Sequence, residues 1–170
     1  MPSDADLRRP FWWLVALTLV LDRVTKLLAE RELLAAPIDV LGEVVRFRLA
    51  YNPGAAFGLG ATFGPASRWI FGVIALAAAW LLWKMSRETP ATNRLRQYAV
   101  GFIAGGALGN LIDRLLSSRG VIDFIDVGLS AGTWRWPTFN VADMAVSCGA
   151  VALAISLWHE DTTRRREMPG

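Results

Sequence analysis

Histidine and cysteine occur once each in the 170 residues, as His159 and Cys148. A single cysteine excludes an internal disulfide, and a single histidine leaves no Ser/His/Asp or Cys/His catalytic set to assemble. Metal sites of the Cys/His type are excluded by the same shortage. Cys148 lies inside an apolar run and reads as a small packing residue rather than a nucleophile. Charge is scarce as well: Asp, Glu, Lys and Arg make up 19% of the chain, against 54% apolar residues and eight Trp. That balance is too apolar for a soluble domain of this length and indicates an integral membrane protein.

Four stretches, about 11–28, 67–85, 95–116 and 139–159, are long enough to span a ~30 Å hydrocarbon layer at ~1.5 Å per residue. Arg8 and Arg9 ahead of the first could begin a cleaved signal peptide. Asp22 and Arg23 interrupt that run, however, and no small-x-small cleavage site follows it, so it reads as a retained helix. If the four alternate, one side receives Arg8, Arg9, Lys84, Arg87, Arg94, Arg96, Arg164, Arg165 and Arg166, and the other only Arg31, Arg46, Arg48, Arg68, Arg119 and Arg135. The richer side should be cytoplasmic, with both termini on it. These anchors account for the formal charge of +3, and no nucleic-acid partner is expected.

The expected fold is therefore a membrane all-α bundle of four transmembrane helices in one domain, 1–170, with cytoplasmic tails 1–10 and 160–170. Between helices 1 and 2, VVRFRLAY partly alternates apolar and polar residues and is followed by the turn Asn52-Pro53-Gly54. A small extracytoplasmic β element at about 44–60 is the natural reading.

An acid at membrane depth costs roughly 2.5–3.5 kcal/mol even on lenient scales. Yet Asp22, Lys26, Asp113, Arg114 and Asp143 all fall within roughly 10 Å of the outer surface when counted along their helices. Polar residues scattered at random would not share a depth, so these form one site. Asp22 and Lys26 are spaced i, i+4 and can pair. Asn110, Asp113 and Arg114 fall within an arc of about 100°. Both sets read as locally compensated charges that orient helices.

Asp143 has no basic residue within a turn on its own helix, and Asp123, in the outer-loop stretch VIDFID, has only Arg119 beyond Gly120. Two carboxylates brought together repel, and one keeps its proton. A dyad of that kind activates water for peptide hydrolysis, one member as base and the other as acid. Asp123 could equally be an ordinary loop acid, and Asp126 competes with it; spacing does not separate them. Asn52 is either a plain turn residue or an amide reaching the polar cluster, with Gly54, Gly58 and Gly60 admitting a substrate backbone. Gly101, Gly105 and Gly109 form two GxxxG steps, which allow close helix packing, most simply within a monomer. The segment SAGTWRWPTF suits a stretch at headgroup level.

A small proton- or ion-coupled four-helix transporter is the rival reading, because intramembrane acids also mark ion paths. Transport calls for polar residues along a path through the membrane, whereas the inner halves of these helices are nearly free of them.

The motifs DRVTK (Asp22 to Lys26), NPGAAFG (Asn52 to Gly58), GNLIDR, VIDFID and FNVADM, in this order and spacing, resemble those of the bacterial lipoprotein signal peptidases. That family, also called signal peptidase II or prolipoprotein signal peptidase, comprises four-helix aspartic proteases of the cytoplasmic (inner) membrane. The resemblance covers nearly the whole chain. It implies Asp123 and Asp143 as the catalytic pair, deciding against Asp126 by analogy, with Asp22, Lys26, Asn52, Gly54, Asn110, Asp113, Arg114, Asn140 and Ala142 in support. It also implies cleavage of prolipoproteins before a diacylglyceryl-modified Cys at the extracytoplasmic face, contact with membrane lipid, inhibition by globomycin-type peptides, and no metal or organic cofactor.

Overall fold

The computed structural model describes residues 9–54, 64, 66–90, 92–129 and 134–167. Within them the chain forms four helices and one small sheet: α1 (Arg9–Glu32), β1 (Ile38–Leu41), β2 (Val45–Asn52), α2 (Ser67–Glu88), α3 (Arg94–Leu116), β3 (Val121–Val127) and α4 (Val141–Glu167). Local chemistry sets several of these limits. Pro90 forces Thr89 into an extended conformation and stops α2. Asn93 caps α3 by accepting the Arg96 backbone N–H at 3.1 Å.

The helix α3 is central and packs against each of the other three. Its glycines allow this. A Cβ on Gly105 would lie 2.7 Å from the Thr18 Cβ of α1, and one on Gly109 would lie 2.6 Å from an Asp22 carboxylate oxygen. On the other side, Gly149 of α4 meets Ala99 and Ile103 just as closely. The GxxxG steps thus serve contacts inside the chain, where small residues let backbones approach. Phe11, Val15, Leu82, Val100 and Ala104 form the core between helices. A second core of Ala29, Leu33 and Phe124, flanked by Phe47 and Val141, fastens the sheet to the end of α1.

The sheet is antiparallel with order β1-β2-β3. It is larger than the element expected between helices 1 and 2, because VIDFID, expected to be loop, supplies β3. That strand is almost wholly buried, so it lacks the alternation that marks a half-buried strand. Residues 55–60 of the expected element, with Gly58, lie outside the described residues. Helix α4 begins at Val141 rather than at 139, because Phe139 exchanges backbone hydrogen bonds with Ile125 in an isolated bridge.

Three helices, α2, α3 and α4, are long and apolar enough to cross a membrane. The charges of α1 keep it outside that criterion, although Asp22 and Lys26 point inward while Leu17, Val20, Leu21, Val24 and Leu28 face out.

Replacing Gly105 with Val should cost about 1–3 kcal/mol by overpacking against Thr18, lowering the unfolding midpoint in detergent. Gly72→Ala, whose Cβ would make an ordinary 3.5 Å contact with Leu111, should leave it unchanged. Equal midpoints for the two variants would contradict this packing.

Candidate active site

The polar groups of α1, α3, β3 and α4 meet around one ammonium group. Lys26 is 0% exposed and pairs with Asp22 at 2.8 Å and Asp113 at 2.7 Å. Its Nζ also donates to Asn110 Oδ1 at 3.0 Å. Each carboxylate then reaches one element further. Asp22 Oδ1 accepts the Ala142 backbone N–H at 3.0 Å, satisfying a donor in the first turn of α4. Asp113 Oδ2 accepts the Ile122 N–H of β3 at 3.2 Å, and Arg23 approaches Asp113 Oδ1 at 3.4 Å.

The expected local compensation between Asp113 and its neighbour Arg114 does not occur. Lys26 and Arg23 neutralise Asp113, while Arg114 turns away and donates to the carbonyls of Gly54, at 3.0 Å, and Asn110, at 3.1 Å. The i, i+4 pair of Asp22 and Lys26 forms as the spacing indicates.

Asp143 sits at the third position of α4, with Asn140 as N-cap. The Asn140 side chain accepts the Asp143 N–H at 3.0 Å, and the Asp143 carboxylate accepts the Asn140 N–H at 3.2 Å. This reciprocal cap fixes Asp143 at the positive end of the helix. Asn110 Nδ2 donates to its other oxygen at 2.8 Å. Asp143 therefore has amide partners in place of the basic ones missing from the neighbouring turn of its helix.

Asp123 lies on β3, 3% exposed, and accepts from Asn140 Nδ2 at 2.7 Å and Asn52 Nδ2 at 3.3 Å. Both readings of Asn52 hold at once, since its Oδ1 also accepts the Gly54 N–H of the turn at 3.1 Å. Burial, and next the charge of Asp143, push the Asp123 carboxyl up to about 7. Asp126 stands in contrast. Burial pushes it up, but hydrogen bonds from Arg135 at 2.7 Å and Arg46 at 2.9 Å outweigh that and hold it below the ordinary carboxylate range.

Asp123 and Asp143 both line a cavity of about 990 Å³, together with Asn52, Asn110 and Arg114. Asp22, Lys26, Asp113, Asn140 and Ala142 are buried behind it. Among the described residues no cluster of three or more His, Cys, Asp or Glu could hold a metal ion. The cavity's other walls include Trp136 and Thr138, from the segment expected at headgroup level, Met144, the last residue of FNVADM, and Cys148, which the sequence marks only as a packing residue. The spacing Asn140-x-x-Asp143 is a capping signal that the sequence reading leaves unused.

The sequence model for the family described as Signal peptidase (SPase) II matches residues 14–159. The chain belongs to the signal peptidase II family. A protein named lipoprotein signal peptidase from Treponema denticola is 40% identical over 167 residues, covering 92% of each chain. One of the same name from Pseudomonas aeruginosa is 36% identical over 152 residues, covering 89% of each. A solved structure described as a bacterial membrane enzyme superposes with a TM-score of 0.78 at 25% identity, covering 94% of this chain and 93% of the other. Membership in a signal peptidase family makes the chain a peptidase and leaves the transporter reading without support. The end of the helices away from the cavity is less apolar than the sequence suggests: Ser86 and Gln97 are buried there and hydrogen-bonded to each other at 2.7 Å.

Removing the ammonium group alone would leave the buried Asp22 carboxylate without a cation and Asp113 with only Arg23 at 3.4 Å. Lys26→Met should therefore cost about 3–5 kcal/mol, read as a large fall in the unfolding midpoint in detergent. A midpoint equal to that of the unaltered protein would contradict the central place of Lys26.

Proposed function

We propose that the chain removes signal peptides from prolipoproteins by hydrolysing the bond before a diacylglyceryl-modified Cys, with Asp143 as the general base and Asp123 as the general acid. The observation that carries this reading is that two carboxylates from different elements share one cavity and one bridging residue, Asn140. Asp143 accepts hydrogen bonds from the Asn110 amide and from the Asn140 N–H at the helix N-terminus, which aim its oxygens for a base. Asp123 is buried deeply enough to keep its proton near neutral pH.

Asp143 takes a proton from water, whose oxygen attacks the carbonyl carbon, while Asp123 gives its proton to the carbonyl oxygen. Collapse of the tetrahedral intermediate returns that proton to Asp123. The proton held by Asp143 passes to the nitrogen of the lipidated Cys as the C–N bond breaks. Asn52 and Asn140 orient Asp123, and Asn110 orients Asp143. Arg114, itself a cavity residue, holds the Gly54 carbonyl next to Pro53 of the wall, and Lys26 with Asp22 and Asp113 fixes the elements behind it. Ala142 contributes its backbone N–H.

All four helices cross the cytoplasmic (inner) membrane in this reading. The inward charges and apolar outer face of α1 support its inclusion, and the distribution of Lys and Arg supports cytoplasmic termini. The site then opens at the extracytoplasmic face, where a diacylglyceryl group keeps its Cys. A monomer suffices, and globomycin-type peptides would occupy the same cavity.

A gel-shift assay with a diacylglyceryl-modified prolipoprotein tests the dyad. Asp123→Asn and Asp143→Asn should each lose at least about 10²-fold in rate while remaining inserted and folded, and retained cleavage by either would refute the assignment.

The pH dependence has a definite sign. Asp123 is raised from 3.8 to about 7, so activity should fall as pH rises through about 7. The stability this group contributes is fully present below its unfolded value and lost as pH rises through about 7. Asp123→Asn should therefore unfold at a higher temperature relative to the unaltered protein at pH 8 than at pH 5. The same difference at both pH values would contradict a raised Asp123.

A further inference from the structure

The sheet carries a cationic side chain at the rim of the cavity that the reaction does not use. The register of β2 against β3 slips between Phe47 and Ala50, so that Arg48 and Leu49 form a bulge immediately before Ala50, the cross-strand partner of Asp123. A bulge re-aims side chains, and bulges are common beside active sites. Leu49 packs on the core under the sheet. Arg48 Nη2 donates to Thr138 Oγ1 at 3.2 Å, and both Thr138 and Ala50 line the cavity.

Arg48 is also short of negative charge. Its ion pair among the described residues is with Asp126, whose oxygens already take Arg46 at 2.9 Å and Arg135 at 2.7 Å, leaving Arg48 Nε at 3.7 Å. Asp39 lies opposite Arg46 on β1, across β2 from the cavity. The Arg48 side chain remains 51% exposed.

We propose that Arg48 is a specificity-determining contact for the polypeptide that follows the scissile bond, favouring an acidic side chain within the first few residues after the lipidated Cys. This rests on the peptidase reading above. In that reading the lipid and the signal segment stay with the membrane, so the chain after the Cys must leave past the sheet. Arg48 is the half-exposed cation that β2 presents next to the residue pairing with Asp123. A guanidinium there meets a carboxylate with a strong geometric match, and an exposed pair of this kind is worth a modest preference.

The test uses two diacylglyceryl-modified peptides that differ only in carrying Asp-Asp or Lys-Lys at the second and third positions after the Cys. Each is assayed by kcat/KM in low salt with the unaltered enzyme, Arg48→Ala and Arg48→Glu. The unaltered enzyme should favour the acidic peptide by about two- to five-fold. Arg48→Ala should remove the preference, and Arg48→Glu should invert it while still cleaving. Cleavage of both peptides with one ratio across all three enzymes would overturn the inference alone. An equal loss on both peptides in the variants would also overturn it, pointing to a contact with a lipid headgroup. Cleavage of neither peptide by the unaltered enzyme would overturn the peptidase reading, and this inference with it.

Discussion

The ion pairs of one buried ammonium group hold together the end of this molecule that carries the cavity. Lys26 is withdrawn completely from solvent and lies between Asp22, Asp113 and Asn110. A buried charge is tolerable only when paired and hydrogen-bonded, so these partners are obligatory. Each partner spends its remaining capacity on another element: Asp22 on the first turn of α4, Asp113 on β3, and Asn110 on Asp143. The glycines of α3 are the steric condition for this, since a side chain at 109 would occupy the place of the Asp22 carboxylate.

That framework places two chemically identical side chains in unlike surroundings. Asp143 stands at a helix N-terminus and receives amide donors, which suits a charge. Asp123 lies on a nearly fully buried strand beside it, where a second charge is opposed by desolvation first and by Asp143 next. Raising one acid beside another in this way is how a pair divides the work of base and acid near neutral pH. Asn140 joins the halves, with its backbone and side-chain oxygen committed to Asp143 and its amide nitrogen to Asp123.

Much of the site was legible because helical spacing is a local property. The i, i+4 relation of Asp22 and Lys26 and the shared depth of the acids follow from counting residues. The misreadings share a cause: they turned on non-local contacts. β3 passes for loop because its partner, β2, is about 75 residues away in sequence and its burial erases the usual alternation. Spacing pairs Asp113 with the adjacent Arg114, yet the groups that neutralise it, Lys26 and Arg23, come from α1. Asp123 and Asp126 are indistinguishable by spacing, and only the arginines converging on Asp126 from β2 and from the segment before α4 separate them.

Asp123 keeps its proton near neutrality because the fold buries it beside Asp143. Infrared titration of the protein in detergent, following the protonated-carboxyl stretch in the unaltered chain and in Asp123→Asn, tests this most directly. A band that titrates with a midpoint near 7 and disappears in Asp123→Asn is the result predicted. A band that persists unchanged in Asp123→Asn, or none above pH 5 in the unaltered protein, would contradict it.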